Sequence, residues 1–285
     1  MQLSRRKHKV SVKGSFIGFF TILILLLLAT FILYPLCTVI FTSFKSNAEV
    51  MVNPVGFPRH ITVANYPEAF VMGGYANAFL NTLKLAIIGA TVSVAMSSFM
   101  AFVLTRPNFR TRKYLYLFII AGMVVPTNVC ALTAYIQMSA IGLVNSHLSV
   151  LCMHVAYGLS FLIFIIAGFF KGIPTEINEA AVLDGCSEMG IYLWVTLPLS
   201  IPIIITGLIF QMVGIWNDMF FSMIFLGKES LKTLPLGTMK FHRFRATDYS
   251  GLFAYIIMCS VPMFLAFIIM QKQFVDGLTA GAIKG

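Results

Sequence analysis

The sequence predicts an all-α membrane protein with six transmembrane helices. Of the 285 residues, 59% are hydrophobic and 11% are charged, whereas about a quarter of a soluble domain is charged. Apolar stretches that reach the ~20 residues needed to cross a bilayer occur six times. They lack the two-residue alternation of a barrel strand, so helices are expected, because a helix satisfies its own backbone in lipid. The stretches are 16–44, 77–104, 114–138, 147–170, 199–226 and 250–271.

The first stretch follows a basic N-terminus, residues 1–15. A cleaved export signal would begin with similar charge. However, the apolar run from Phe16 to Phe44 is about twice as long as a signal-peptide core, and no small-x-small cleavage pattern follows it. We therefore expect a retained first helix.

The later stretches carry few interruptions. Lys84 lies near the start of the second, where its ammonium group is expected to extend toward the headgroups. Prolines at 126, 202 and 262 fall in the third, fifth and sixth stretches and offer places to bend. The longest gap, 45–76, is shorter than the ~40 residues of an independent core. Residues 16–271 are therefore expected to form one six-helix domain.

The distribution of charge predicts the orientation. More Lys and Arg residues lie in cytoplasmic segments when both termini are placed inside, as the preference of basic residues requires. This predicts a multi-pass membrane protein with the tail, residues 272–285, in the cytoplasm. The net charge of +10 has its largest cluster beside the first span, where anionic lipid accounts for it and no nucleic acid is implied. The five cysteines and five histidines have no metal-ligand spacing, so neither a metal site nor a catalytic site is predicted.

The polar segment between the fourth and fifth stretches, residues 172–198, has helix signals of its own. Thr175 follows Pro174 at the expected start, acidic residues occupy the first turn, and Gly185 provides an exit. One face of this helix is expected to carry the residues spaced at i, i+3 and i+4, namely Ile177, Ala180 and Ala181. A helix this short must pack against something. An ordinary amphipathic connector is the simpler alternative.

The same segment carries a resemblance to a known family. Glu179-Ala180-Ala181, Gly185 and Leu197-Pro198 have the spacing of the EAA loop, the cytoplasmic segment through which permease subunits of ATP-binding-cassette importers dock onto their ATPase. The whole chain resembles such a permease, with Val195 where the family usually has isoleucine. We call residues 172–198 the coupling segment. The resemblance assigns ATPase coupling to Glu179, Ala180, Ala181, Asp184, Gly185, Leu197 and Pro198.

Two further motifs resemble the carbohydrate-uptake branch, in particular the smaller permease subunit of maltose-type importers. They are Trp216-Asn217-Asp218 and the tail from Phe274 to Gly285. The resemblance implies a heterodimer with a related permease, two ATP-binding subunits and an extracytoplasmic sugar-binding protein. The chain has no Gly-x-x-x-x-Gly-Lys-[Ser/Thr] motif, so it is expected to bind no cofactor and to leave ATP and Mg to the partner ATPase. The acidic excess of the coupling segment would suit a basic receiving groove.

Polar residues inside the spans are candidates for a sugar pathway, because such residues usually face an interior or an aqueous path. The candidates are Asn128, Gln137, Gln211, Trp216, Asn217 and Asp218. Hydrogen bonding between helices or capping of a broken helix is the alternative. Asp218 lies ~33 Å along a helix from Thr196, which places it near the outer surface, where water could solvate it.

The resemblance also gives roles to two basic or flexible regions. The loop after the fifth stretch would contact the sugar-binding protein through Lys232, Lys240, Arg243 and Arg245, although a solvated basic loop is the alternative. The tail would contact the ATPase through Phe274, Asp276, Gly277, Gly281 and Lys284. Its glycines predict a poor continuation of the sixth helix, because each interior Gly costs ~1 kcal/mol relative to Ala.

Other function classes fit less well. A permease for a non-sugar solute remains open, and the sequence does not identify a sugar. A secondary transporter would need intramembrane carboxylates or paired broken helices, and a membrane enzyme would need a cluster of acid, base or metal-ligand residues. Asp218 is the sole carboxylate expected inside a span. Neither class accounts for residues 179–198.

Overall fold

The computed structural model describes residues 12–106, 111–242 and 247–282, with side chains described for 18–106, 111–242 and 247–272. The described chain is almost entirely helical. Its first seven helices are α1 Val12–Ser43, α2 Asn47–Val52, α3 Asn65–Gly73, α4 Tyr75–Thr105, α5 Arg112–Ala121, α6 Ala131–Ala140 and α7 His147–Phe170.

The second half contains seven more. They are α8 Thr175–Leu183, α9 Glu188–Gly190, α10 Leu197–Leu199, α11 Ile201–Trp216, α12 Phe220–Phe225, α13 Leu234–Gly237 and α14 Tyr249–Ala282. A π-helical stretch, Ile191–Thr196, joins α9 to α10. Three 3-10 turns lie at Gly122–Val124, Glu229–Leu231 and Thr238–Phe241.

Four helical stretches of the described chain are long and apolar enough to cross a membrane, which supports a multi-pass membrane protein. They are Gly18–Ser43, Tyr75–Thr105, His147–Phe170 and Tyr249–Lys272. A fifth is present if Glu188–Leu199 and Ile201–Trp216, which meet at 78°, count as one bent span. Pro202 lies in the first turn of α11, where its missing N–H is tolerated, so a new helix begins there.

The third predicted stretch, 114–138, is not one helix. α5 ends at Ala121, a 3-10 turn follows, and α6 begins only at Ala131. Val125 adopts an extended backbone, with φ −74° and ψ 115°. Pro126 explains the extended conformation of Val125, because proline disfavours helical geometry in the preceding residue and removes a backbone donor.

The fifth predicted stretch, 199–226, is also divided. α11 ends at Trp216, and α12 starts at Phe220 after three non-helical residues. A residue of the break caps the start of α12. Asp218 accepts hydrogen bonds from the backbone N–H groups of Phe221 and Ser222, at 3.1 and 2.9 Å. A short polar side chain at a helix start competes with helix continuation, which a count of apolar residues does not register.

The sixth helix is longer than predicted. α14 continues to Ala282, through most of the tail that the glycines led us to expect outside the helix. Extending an existing helix adds a hydrogen bond per residue without a new nucleus, which offsets the cost of the two interior glycines.

The core is built where α4, α7 and α11 pack, and small residues let them approach closely. Gly89 on α4 receives the Ile215 side chain, and a Cβ there would lie 2.6 Å from the Ile215 Cδ1 atom. Gly207 on α11 leaves similar space against Leu162 and Val94. Close packing of small residues drives helix association in lipid. Two buried clusters result, one at each end of these helices.

Candidate functional site

The first half of the coupling segment is a helix with a glycine exit. α8 begins at Thr175, as expected, and Gly185 has φ +80°. The Gly185 N–H donates to the Val182 carbonyl and the Cys186 N–H to the Ala181 carbonyl, both at 3.0 Å. This is the Schellman arrangement, which requires a left-handed residue and therefore favours Gly. The chain direction after α8 is thus set by one residue.

The second half of the segment is anchored to α4. Ser187 caps it by accepting a hydrogen bond from the Gly190 N–H at 3.2 Å. The buried Tyr192 donates from its hydroxyl to Ser98 Oγ at 3.1 Å. Its ring lies 5.6 Å from the ring of Phe99 and 5.1 Å from that of Phe102. The helical stretch 188–199 therefore sits on the end of α4.

The face predicted from Ile177, Ala180 and Ala181 is divided in the structure. Ala181 is buried in the chain's own core, whereas Ala180 and Ile177 are exposed. The expectation that all three face one partner is therefore wrong, because α8 also packs on the π-helical stretch Ile191–Thr196 of the same chain. Ala181 belongs to the buried cluster that also contains Phe170 and Ile191.

The exposed part of the coupling segment is apolar and acidic. The Leu183 side chain is 88% exposed and Trp194 is 78% exposed. The carboxylates of Glu176, Glu179 and Asp184 are exposed beside them. Among the described residues, these three acids make no ion pair. Of the remaining predicted positions, Pro198 is exposed and Leu197 packs partly against the core cluster. We call the exposed residues Leu183, Trp194, Glu176, Glu179 and Asp184 the docking surface.

A cleft of about 650 Å³ separates α8 from the ends of α4 and α7. Arg106 and Lys171 lie on its bundle side, and Asn178 and Glu179 lie on its α8 side. The Lys171 ammonium group is 4.4 Å from the centre of the Tyr116 ring. Cationic and anionic groups are balanced in this cleft.

Three of the pathway candidates are engaged inside the chain. Gln211 donates to Ser93 Oγ at 3.2 Å and to the His154 carbonyl at 2.9 Å, so it joins three helices. Trp216 is buried, donates to the Cys259 carbonyl at 3.2 Å and contacts the Phe79 ring edge to face. Its ring is therefore held within the chain, where Trp216 also lines a cavity between α11, α13 and α14. Interhelical hydrogen bonding, the alternative considered above, describes Gln211.

Asp218 is the third engaged candidate, and its expected solvation is wrong. Its carboxylate is buried, accepts a hydrogen bond from the Ser222 hydroxyl at 2.9 Å, and lies 3.5 Å from His154 Nε2. The His154 ring also packs edge to face on Phe221. Helical periodicity does not link these partners, because they are 64 positions apart, on α7 and in the break after α11. The shared placement of an acid and a histidine in apolar stretches was the one available signal.

The other three candidates have exposed side chains. Asn128 lies in the break between α5 and α6, Gln137 lies on α6, and Asn217 is the C-cap of α11. Asn217 lines a cavity of about 630 Å³ between α11, α13 and α14. Most of the lining is apolar, including Met263, Phe264 and Phe267.

The loop after α12, residues 227–248, is held firmly at its base. Asn81 Nδ2 donates to the carbonyls of Ser230 and Lys232, at 2.8 and 3.0 Å, and Thr82 accepts from the Leu234 N–H at 2.9 Å. Asn145, with φ +61°, accepts from two backbone N–H groups at the start of the loop. An isolated antiparallel bridge between His242 and Thr247 bounds the tip. Arg243 and Arg245 lie outside the described residues.

The two described lysines of this loop share a carboxylate. Glu229 pairs with Lys232 at 2.7 Å and also with Lys240. Hydrogen bonds from these two ammonium groups hold the pKa of Glu229 below its usual value. The stability that these ion pairs contribute is present above the usual carboxyl pKa. It is lost as the pH falls through the lowered pKa of Glu229. Lys232 and Lys240 are thus less available to a partner than a fully solvated loop would make them.

Little can be assigned to the tail. The backbone of Phe274, Asp276, Gly277 and Gly281 is helical, their side chains are not described, and Lys284 lies outside the described residues. Within the described ranges, no group of three or more His, Cys, Asp or Glu residues could hold a metal ion.

Comparison with known proteins identifies a matching family and several similar proteins. Residues 93–278 match the family described as "Binding-protein-dependent transport system inner membrane component". A probable ABC transporter permease protein of Bacillus subtilis, YurM, is 30% identical over 257 residues, with 89% of this chain and 84% of that protein covered. The melibiose/raffinose/stachyose import permease MelC of the same organism is 29% identical, with 88% and 91% covered.

A third relative and one solved structure agree with these. The diacetylchitobiose uptake system permease NgcG of Streptomyces coelicolor is 26% identical, with 92% of this chain and 87% of that protein covered. A chain from a bacterial ABC transporter involved in the import of the acidic polysaccharide alginate superposes with a TM-score of 0.81. That match covers 94% of this chain and 100% of the other at 21% identity, and it shows the shared fold.

Proposed function

Because the chain belongs to the family of binding-protein-dependent transport system inner membrane components, we propose that it is the permease subunit of an ATP-driven importer of sugars, chiefly oligosaccharides, and forms half of its translocation pathway. The observation that carries this proposal is the docking surface, where large apolar side chains are exposed on a segment anchored to the core. Relatives named for oligosaccharide transport, such as MelC, support the substrate class.

The docking surface receives the ATPase in this proposal. Leu183 and Trp194 are large side chains left in water by the isolated chain, which is typical of an interaction site. The unpaired acids beside them suit a groove with basic residues, and charge complementarity of this kind favours association. ATP and Mg are bound by the two ATPase subunits, and this chain transmits the movement.

The membrane arrangement follows from this assignment. α5 and α6 together make the third crossing, and α11 with α12 makes the fifth, which gives six crossings within residues 16–271. The coupling segment and residues 1–15 and 272–285 then face the cytoplasm of a bacterial cell. The 227–248 loop then faces outward, and we assign Lys232, Lys240, Arg243 and Arg245 to contact with the sugar-binding protein, although Lys232 and Lys240 also pair with Glu229.

The second permease forms the other half of the sugar pathway. Asn128, Gln137 and Asn217 are the residues of this chain that we assign to the sugar path, because their side chains are exposed and their amide groups can exchange hydrogen bonds with hydroxyls. Asn217 Nδ2 also donates to the Val213 carbonyl at 2.9 Å. Gln211, Trp216 and Asp218 support the helices that carry them, since their polar groups are engaged within the chain.

Replacing Leu183 by Asp is expected to lower capture of the ATPase about tenfold or more, as truncation of an interface hot spot does. The change leaves the core untouched because Leu183 faces solvent. Val63→Asp is the matched control, since Val63 is also exposed and lies outside the predicted spans. Co-purification of the tagged chain with its ATPase measures the effect. Equal ATPase yields from both variants would contradict the docking surface.

The tail is proposed to contact the ATPase as a continuation of α14. Deleting residues 275–285 is expected to leave the complex assembled and to change ATP hydrolysis or weaken uptake. The deletion begins after the last described side chain of α14, Lys272, so the packed part of that helix is retained. Hydrolysis and uptake at the level of the full chain would remove the tail from the mechanism.

A further inference from the structure

Arg106 connects the end of α4 to the coupling segment. It is the C-cap of α4, and its side chain is 20% exposed. Its Nε atom lies 3.2 Å from a carboxylate oxygen of Glu188, and its guanidinium carbon lies 4.2 Å from the centre of the Phe102 ring. Arg112 Nη1 donates to the Arg106 carbonyl at 2.6 Å, which fixes the backbone. The guanidinium group is thus held in place while it faces the segment.

Phe102 gives this contact a second component. The same ring that lies beneath Arg106 packs against Tyr192, with centroids 5.1 Å apart. Tyr192 also reaches Ser98 through its hydroxyl. The last two turns of α4 therefore hold the second half of the coupling segment at a buried aromatic contact and at a peripheral ion pair.

Glu188 differs from the other acids of the coupling segment. In the described part of the chain, it is the one that pairs with a cation, whereas the acids of the docking surface do not. Its side chain is 65% exposed, and exposed ion pairs add little to folding stability. A positional role accounts for the pair better than a stabilising one does.

We propose that Arg106 is a positioning residue for energy coupling. It ties Glu188 to the end of α4, so that displacement of the coupling segment by the ATPase is passed to the second membrane helix. The inference rests on the proposed function, since it presumes that an ATPase moves this segment. Without the tie, the segment can shift on Tyr192 while α4 stays in place, so that ATP is hydrolysed with less transport.

The test is a charge exchange in the reconstituted complex with its ATPase, second permease and sugar-binding protein. Arg106→Glu, Glu188→Arg and the double exchange are compared for sugar molecules transported per ATP hydrolysed. Each single variant is expected to lower this ratio about fivefold or more, and the exchange is expected to restore most of it, as coupled pairs do. Lys113→Glu makes the same charge change nearby and is expected to leave the ratio unchanged.

Two further arms keep the outcome decisive. Arg106→Gln removes the charge without reversing it, and serves if Arg106→Glu fails to assemble. Normal ratios in the single variants, or an exchange no better than either single, would overturn the role of Arg106. The unmodified complex reports on the proposed function separately: without ATP-driven uptake there, that function fails and this inference fails with it.

Discussion

A Gly185→Val substitution is expected to lower ATP-driven uptake about tenfold or more, while the chain still enters the membrane. Gly185 has φ +80°, and a β-branched residue is strained in that region. Open space surrounds its Cα, so the effect comes from the backbone and not from a clash. Relief of the strain would break the Schellman hydrogen bonds and redirect the chain after α8. Uptake by the reconstituted complex measures the loss.

The controls for this prediction separate strain from position. Gly142 also has a left-handed backbone, φ +71°, with open space around it, and lies far from the coupling segment. Gly142→Val should therefore carry a similar strain and retain most uptake. Gly185→Asn should lose less than Gly185→Val, because Asn tolerates this region. Equal losses at the two glycines would show that general destabilisation explains the result.

Replacing Asp218 by Ala is expected to destabilise the folded chain by about 2 kcal/mol, the scale of losing a helix cap and leaving buried polar groups without their acceptor. The substitution removes the cap of α12 and leaves His154 buried without its carboxylate. Thermal unfolding in detergent micelles provides the measurement.

Neighbouring variants test the cause. Asn217→Ala removes one exposed hydrogen bond beside the break, from Asn217 Nδ2 to the Val213 carbonyl at 2.9 Å, and should lower the unfolding midpoint less than Asp218→Ala does. Asp218→Asn keeps an acceptor oxygen for the cap and should fall between the two. If Asp218→Ala unfolds at the same temperature as Asn217→Ala, the carboxylate does not stabilise the break.

The features that the sequence could predict are those set by neighbouring residues. The fourth apolar stretch, 147–170, coincides with α7, because it is mainly apolar and contains no proline and no Asp, Glu, Lys or Arg. Pro174, Thr175 and Gly185 likewise gave the bounds of α8, since caps and left-handed exits are local.

The features that the sequence could not predict depend on packing between helices. Ala181 is buried and Ala180 exposed because α8 packs on the stretch Ile191–Thr196, which helical spacing alone does not reveal. The burial of Asp218 beside His154 required knowledge of how α7 meets the end of α11. Pro126 was recognised as a place to bend, yet the gap of several residues between α5 and α6 exceeds what one proline dictates.

The central claim is that this chain transports sugar only as part of an ATP-driven complex. The decisive measurement is uptake of radiolabelled oligosaccharides into vesicles that hold the chain with its partner permease and ATPase, with the sugar-binding protein added outside. Uptake is predicted to require both ATP and the binding protein, and to be absent from vesicles that hold this chain alone. Sugar uptake by the single chain, or uptake by the complex without ATP, would contradict the account.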